Sequence, residues 1–236
     1  MADQLPDWER LLAAAARLQA ILPDATLVGE TAAAIAAGHR GSIDADHVVA
    51  GLVPRFDEML AELESAAGWK TARERRPVVI LGSLDGILTT VRNQVRVAPL
   101  ETTEVTVAGH KIRVPTKAEI LRIKGWLIVQ RNATRDFLDV AAISGRMTDR
   151  EVLAALAPMD RLYPQADDAG AVRLQLMRQL ALPRPYDLDS LKLDEYRGLV
   201  PEWHDWSTVE AKCRGIASLM ANAVATRRAG WDPTPE

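Results

Sequence analysis

Asp44 and Asp46 are the residues of this chain best placed, by type and spacing, to do chemistry. They lie in Ser42-Ile43-Asp44-Ala45-Asp46, at the head of an apolar run through Val48 and Val49. Strand residues two apart project from one face, so the two carboxylates are expected to stand side by side. An uncompensated charge pair at the start of an apolar strand is costly, and a divalent cation would remove that cost. Oxygen-only ligands, in a chain whose single cysteine is Cys213, favour Mg2+ or Mn2+ over zinc. A metal held by few carboxylates usually shares the substrate's phosphates as well.

Two further groups of residues carry the same theme. Upstream, the apolar run ending in Leu27-Val28 breaks at Gly29, and Glu30-Thr31 opens an alanine-rich helix pattern. A strand, a glycine and a helix in that order present unpaired backbone N–H groups, which suit phosphate oxygens. Downstream, Lys124 shares a helical face with Leu121, Ile128 and Arg131. It is read either as a triphosphate contact or as a snorkelling lysine with its ammonium in water. Arg135-Asp136-Phe137-Leu138-Asp139 follows. Asp136 and Asp139 share a face, where they could approach a metal, orient Lys124, or join Arg131 and Arg135 in a structural ion-pair network.

The elements that must position these groups are legible in outline. Trp8, Leu11, Leu12, Ala15, Leu18 and Leu22 predict an amphipathic helix over Asp7 to Leu22, between Pro6 and Pro23. Thr26 to Val28 reads as a short strand, Thr31 to Ala37 as a helix, Gly38-His39-Arg40-Gly41 as a turn and Ser42 to Ala50 as a second strand. The two strands with a helix between them suggest a crossover unit. A helix over Phe56 to Ala67, strands at Val78 to Leu81 and Ile87 to Val97, and a hairpin over Glu104 to Val114 around Ala108-Gly109-His110 follow. Thr116 and Glu119 form a T-x-x-E capping pattern opening a helix to about Arg131. Beyond it everything reads as helical, with breaks near Pro158, Pro164, Pro183-Arg184-Pro185 and Pro201.

Taken together, Gly29-x-Thr31, Gly38-His39-Arg40 and Ser42-x-Asp44-x-Asp46 resemble the signature of AbiEii-type nucleotidyltransferases. These are toxin components of type IV toxin-antitoxin systems, within the polymerase β-like superfamily. The second block, Lys124, Arg131 and Arg135-Asp136-x-x-Asp139, resembles that family's lysine, arginine and R-D-x-x-D segment. The resemblance implies an α/β (α+β) fold: a nucleotidyltransferase mixed sheet with helices over residues 1–115, then a helical domain over 116–236 completing the active site. It also implies metal binding by Asp44 and Asp46, nucleotide binding by Gly29, Glu30, Thr31, Arg40, Ser42, Lys124, Arg131 and Arg135, and catalytic roles for Asp44, Asp46, Lys124, Asp136 and Asp139. Two positions depart from the pattern. Glu30 stands where the family usually has Gly or Ser, which puts a carboxylate at the mouth of a triphosphate site. Ile87 to Val91 also lacks the third carboxylate that many relatives carry on a later strand, for which Asp85 is a candidate substitute.

Composition narrows the class. At 236 residues, 48% apolar and 26% charged, the chain can bury a substantial core, and one cysteine excludes an intramolecular disulfide. The polar start and the lack of a long apolar run predict a cytoplasmic protein with no membrane span. Net charge is -3, yet Lys70 to Arg135 holds 13 Lys/Arg against 5 Asp/Glu, a local +8 that leaves -11 elsewhere. A polyanion could be held by that segment; scattered surface charges are the bland alternative. His39 could contact substrate or complement a helix C-terminus. Trp203, His204 and Trp206 could stack on bases, or simply pack.

The function expected is metal-dependent transfer of a nucleoside monophosphate from a nucleoside triphosphate to an acceptor hydroxyl. For toxin relatives the resemblance implies a tRNA 3′ end as acceptor and a cognate antitoxin protein as partner. Nucleotidylation of a small molecule or protein, and a non-catalytic binding or regulatory descendant, are the alternatives.

Overall fold

The computed structural model describes residues 8–165 and 170–228, and side chains as far as residue 225. Contacts divide it into two compact units, Met1–Glu119 and Ile120–Glu236.

The first unit runs α1 (Trp8–Ile21), β1 (Thr26–Leu27), α2 (Gly29–Ala37), β2 (Asp44–Val49), α3 (Phe56–Ser65), β3 (Trp69–Arg75), β4 (Val79–Leu84), β5 (Ile87–Asn93), β6 (Thr102–Val107) and β7 (His110–Pro115). Five strands form a mixed sheet in the order β1-β2-β5-β4-β3, and β6 and β7 form the expected hairpin. Alternation decides which face of the sheet is covered. Ala45, His47 and Val49 of β2, and Ile87, Thr89 and Val91 of β5, are buried. Leu11, Leu12 and Ala15 of α1 pack in one cluster with Ala45 and Ile87, while Leu18, Val49, Phe56, Leu63, Ile80 and Val91 join in another. Asp44, Asp46 and Val48 are left on the opposite, partly exposed face. The expected Pro6 and Asp7 lie outside the described residues.

Three expectations are corrected. The crossover suggested between Thr26–Val28 and Ser42–Ala50 does not form, because β1 and β2 are antiparallel neighbours. With only two residues in β1, the chain turns at Gly29 and comes back after α2 along the strand it left; the Val28 amide still donates to the Asp46 carbonyl at 2.8 Å. The parallel pair is β2–β5, with α3 and the β3–β4 hairpin intervening. Second, the strand from Ile87 stops at Asn93 rather than Val97. The Gln94 side-chain Nε2 donates to the Arg96 and Ala98 carbonyls and Arg96 Nε donates to the Ala98 carbonyl, which bends the chain out of the ladder after Gln94. Third, β3 went unread, since Lys-Thr-Ala-Arg-Glu-Arg has the composition of an exposed helix. It forms a strand because Trp69 supplies an anchor, with Gly82 opposite giving it room: a Cβ there would sit 2.6 Å from both the Trp69 ring and the Lys70 carbonyl.

His47 sits fully buried beside Ala45, whose carbonyl accepts from Nδ1 at 3.1 Å. Burial holds its pKa down at about 4, against an ordinary 6.5, with the Ala45 and Ala15 backbone opposing the shift only partly. The unfolded chain therefore takes up the proton first as pH falls. This stabilising contribution is complete above about pH 6.5 and is lost as pH drops toward 4, by up to roughly 3 kcal/mol. Urea unfolding at pH 7.5 and 4.5 is expected to show that difference in wild type and to lose most of it in His47→Leu.

Among its described residues the second unit holds helices and no strand, and residues 182–205 form turns with three short 3-10 segments rather than the helix expected there. It contains most of α4 (Lys117–Arg131), then α5 (Thr134–Ser144), α6 (Asp149–Leu156), α7 (Met159–Leu162), α8 (Val172–Ala181) and α9 (Trp206–Arg228). The breaks fall at the prolines expected. Only half of the Thr116 capping box forms: the Glu119 amide donates to Thr116 Oγ1 at 3.2 Å, but the Glu119 carboxylate is engaged by Arg96 at 2.8 Å. The complete box is Thr148–Glu151, opening α6. Trp203 is buried, His204 contacts the Leu199 carbonyl at 2.8 Å, and Trp206 packs edge-on against Phe137 with centroids 6.1 Å apart. That cluster is packing.

Candidate functional site

The glycine turn, the start of α2 and the aspartate strand converge in the first unit. Thr31 Oγ1 donates to the Asp44 carbonyl at 2.6 Å and lies 2.7 Å from Ser42 Oγ, which is 3.4 Å from Asp44 Oδ1. Thr31 and Ser42 are both buried. Their hydroxyls thus fix the backbone from which Asp44 projects, and they tie the first turn of α2 to the head of β2. Asp46 lies at the same turn. Gly29 has φ +72°, and a Cβ there would stand 2.9 Å from Asp46 Oδ2. No side chain caps α2 at Val28. Gly29→Ala is expected to cost on the order of 1–2 kcal/mol in backbone strain and to displace the Asp46 carboxylate. Thermal unfolding and titration with Mg2+–nucleotide check the two effects separately.

Glu30 does not face a triphosphate unopposed. Its Oε2 is 2.7 Å from Arg40, and both side chains are buried. The pair neutralises the carboxylate and engages Arg40, which draws Glu30 into the support of α2. His39 is buried beside it. Asp85 is placed elsewhere. It sits in the β4–β5 turn with its carboxylate 2.5 Å from Arg17 of α1, on the side of the sheet that α1 covers and not on the Asp44–Asp46 face. Opposite Asp44 and Asp46, β5 presents Leu88 and Thr90. Arg92 comes next, 3.9 Å from Asp46. Arg92 was missed in the sequence; its two-residue spacing from Thr90 in a β-rich stretch was the available signal.

The carboxylate oxygens of Asp44 and Asp46 are donors of the type Mg2+ and Mn2+ take. Among the described residues no three His, Cys, Asp or Glu side chains are grouped to hold a metal. The protein alone offers a partial coordination sphere. Mg2+ is commonly bound by one or two carboxylates together with substrate phosphates, so the pair fits a cation arriving with a nucleotide.

The second unit holds its own charged cluster. Lys124 Nζ is 2.6 Å from Asp139 and 3.9 Å from Asp136, and Arg131 grips Asp136 through two hydrogen bonds of 2.7 and 2.9 Å. Both aspartates and Lys124 are buried. Two cations thus match two carboxylates in a setting where any one left alone would be expensive. Lys124 does not snorkel to water; Asp139 orients it. Arg135 is half-buried on the same helix.

No family model matches the chain. Among solved structures, a nucleotidyltransferase candidate from H. pylori superposes with a TM-score of 0.59 at 16% identity, covering 96% of this chain and 99% of that one. ANT(2″)-Ia in complex with adenylyl-2″-tobramycin superposes with a TM-score of 0.50 at 15% identity, over 66% of this chain and 98% of that one.

The chain shares the fold of these two solved structures.

The curated relatives differ in kind. The mycolic acid-containing lipids exporter MmpL11 of Mycolicibacterium smegmatis is 36% identical over 127 residues, 53% of this chain and 13% of that protein. The heme uptake protein MmpL11 of Mycobacterium tuberculosis is 37% identical over 127 residues, again 53% and 13%. The chain therefore spans 13% of the length of these relatives. Among the described residues no helix is long and apolar enough to cross a membrane.

Proposed function

We propose that the chain is a nucleotidyltransferase that moves a nucleoside monophosphate from a nucleoside triphosphate to an acceptor hydroxyl, in the cytoplasm. The observation that carries this reading is the Asp44–Asp46 pair on the partly exposed face of β2, with the uncapped start of α2 touching Asp46 through Gly29. Amide groups at a helix N-terminus and a pair of carboxylates beside them suit a metal-bound triphosphate. A divalent cation bound there would supply charge neutralisation and Lewis-acid polarisation of the phosphates. The chain's own groups position the donor: the α2 amides meet phosphate oxygens, and Thr31 and Ser42 keep Asp44 in place. The acceptor oxygen bonds to the α-phosphorus as the bond to the β-phosphate oxygen breaks, pyrophosphate leaves, and the acceptor proton passes to water, because β5 offers no carboxylate to take it. Lys124, held by Asp139, and Arg131, held by Asp136, are assigned to the donor phosphates on the resemblance of their motif.

The finer reading is an RNA acceptor, a tRNA 3′ end, in a toxin restrained by an antitoxin protein. It draws on the AbiEii-like residues and on the basic Lys70–Arg135 segment. The transport roles named for the MmpL11 proteins belong to chains of which this one spans a small part, and are not assigned to it. A second reading, a nucleotide-binding module without transfer, is favoured by Leu88 and Thr90 standing where a third carboxylate would lie.

The test is incubation of purified protein with α-labelled nucleoside triphosphates, Mg2+ and, separately, total tRNA and an aminoglycoside. Label moving to tRNA supports the finer reading, and label on the aminoglycoside replaces it with a small-molecule acceptor. Triphosphate binding without transfer to any acceptor establishes the second reading; absence of both binding and transfer defeats both. Growth arrest on expression, relieved by Asp46→Ala, tests the toxin role.

A further inference from the structure

The register of the five-stranded sheet sets out its open face in three rows. Asp44, Leu88, Ser83 and Lys70 stand across β2, β5, β4 and β3; Asp46, Thr90, Leu81 and Arg73 form the next row; Val48, Arg92, Val79 and Arg75 form the third. The register shift between Thr71 and Arg73 is what puts Lys70 on the same face as Arg73 and Arg75, since a strand without a bulge would send residues three apart to opposite sides. The face therefore carries carboxylates on β2, cations on β3 with Arg92 between them, and an aliphatic strip of Leu88, Leu81 and Val79.

Several other cations of the unit are held by carboxylates, whereas Lys117 stands alone among the described residues and Arg113 contacts a backbone carbonyl. Arg17 pairs with Asp85, Arg55 with Asp24 and Glu58, Arg76 with Asp57 and Glu74, and Lys111 with Glu104. Lys70, Arg73 and Arg75 are exposed, and their side chains make no ion pair or hydrogen bond among the described residues, while the Arg92 side chain has Asp46 at 3.9 Å. In a chain of net charge -3, three neighbouring unpaired cations on one sheet face form a local anion footprint. At about 4.8 Å between strands, β3 lies roughly 14 Å from the β2 carboxylates, beyond the span of a triphosphate seated at Asp46. These cations therefore lie beyond the donor's phosphates and suit a further anion.

We infer that the open face of β3, β4 and β5 is the track along which the phosphodiester backbone of a single-stranded polynucleotide acceptor reaches Asp44 and Asp46. The inference rests on the transfer reading above and adds to it the surface that holds the acceptor. Lys70, Arg73 and Arg75 hold phosphates upstream of the reacting end, and Arg92 holds the phosphate nearest the carboxylates. Sugars pass over Leu81 and Leu88, which offer no hydrogen bonds to base edges, so binding along the track is insensitive to sequence.

The test is fluorescence anisotropy with a labelled single-stranded RNA of mixed sequence, across a KCl series. For single strands the log–log salt slope is about -0.7 per phosphate contacted. The Lys70→Glu/Arg73→Glu/Arg75→Glu variant is expected to lose at least about tenfold in affinity at low salt and about 2 in slope. Arg150→Glu, an exposed change in the other unit, should alter neither. If the triple variant fails to fold, Arg73→Gln and Arg75→Gln each remove about 0.7 of slope. Affinity for Mg2+–ATP, measured on the same proteins, stays unchanged, so a lost donor site and a lost acceptor track are told apart. RNA binding undiminished in the triple variant, no RNA binding by wild type, or equal binding of polyglutamate or of anionic lipid vesicles would overturn the assignment.

Discussion

Asp46→Asn is expected to lower nucleotidyl transfer by a factor on the order of 10³ while leaving the protein as stable as wild type. The amide keeps the size and hydrogen-bonding reach of the carboxylate but loses the charge on which a divalent cation depends. Asp46 stands on one face of β2 two residues from Asp44, is only partly buried and has Arg92 at 3.9 Å, so its amide leaves no buried charge without a partner. The change in Tm should therefore be close to zero, within about 1–2 °C. Mg2+ with a non-hydrolysable nucleotide should raise Tm in wild type and not in the variant, since a ligand stabilises only the state that binds it. Initial rates of label transfer and thermal unfolding, each with and without Mg2+–nucleotide, are the measurements. A variant that retains wild-type transfer removes Asp46 from the chemistry.

Asp139→Leu should have the opposite profile, a large loss of stability in the helical unit. Lys124 Nζ loses its 2.6 Å partner and keeps only Asp136 at 3.9 Å, itself already gripped by Arg131. An ammonium left buried in that way costs about 3–5 kcal/mol, read as a shift in the urea midpoint. The double variant Lys124→Met/Asp139→Leu removes both charges and should recover most of the loss, because a matched apolar pair of similar volume often serves as well as a buried ion pair. Its activity then carries the mechanistic information. A stable double variant without transfer assigns Lys124 to the donor phosphates; one with full transfer makes the pair structural. Asp136→Asn offers a contrast, since Arg131, about a third exposed, can turn to water when released.

The two blocks of site residues differed in how much of their surroundings sequence could reveal. The placement of Asp44 and Asp46 on one face follows from the two-residue period of a strand, and their partial exposure from the burial of Ala45 and Val49 on the other face. Glu30 could not be resolved in that way. A carboxylate at the first turn of α2 is an obstacle to a triphosphate if it points outward and a support if it points inward. The choice depends on Arg40, ten residues on and past a turn. The same limit applies to Asp136 and Asp139: their helical spacing shows that they share a face, but not that each takes a different cation. Asp85 precedes a strand, and its pairing with Arg17, 68 residues away in sequence, could not be read locally.

Sequence alone determined most of the elements. Local periodicity and punctuation placed α1, α2, β2, the β6–β7 hairpin and most of the later helices, while the reading of the acid pair with the Lys124 and R-D-x-x-D blocks as a nucleotidyl-transfer site came from their resemblance to a family. The elements depend on residues within a few positions of one another, where backbone geometry acts directly. Tertiary structure decided the antiparallel pairing of β1 with β2, the existence of β3, the burial of Glu30 against Arg40 and the cationic rows facing the carboxylates. Each of these depends on contacts between residues far apart in the chain, or on one bulge that changes which side a residue faces, and no local pattern encodes them.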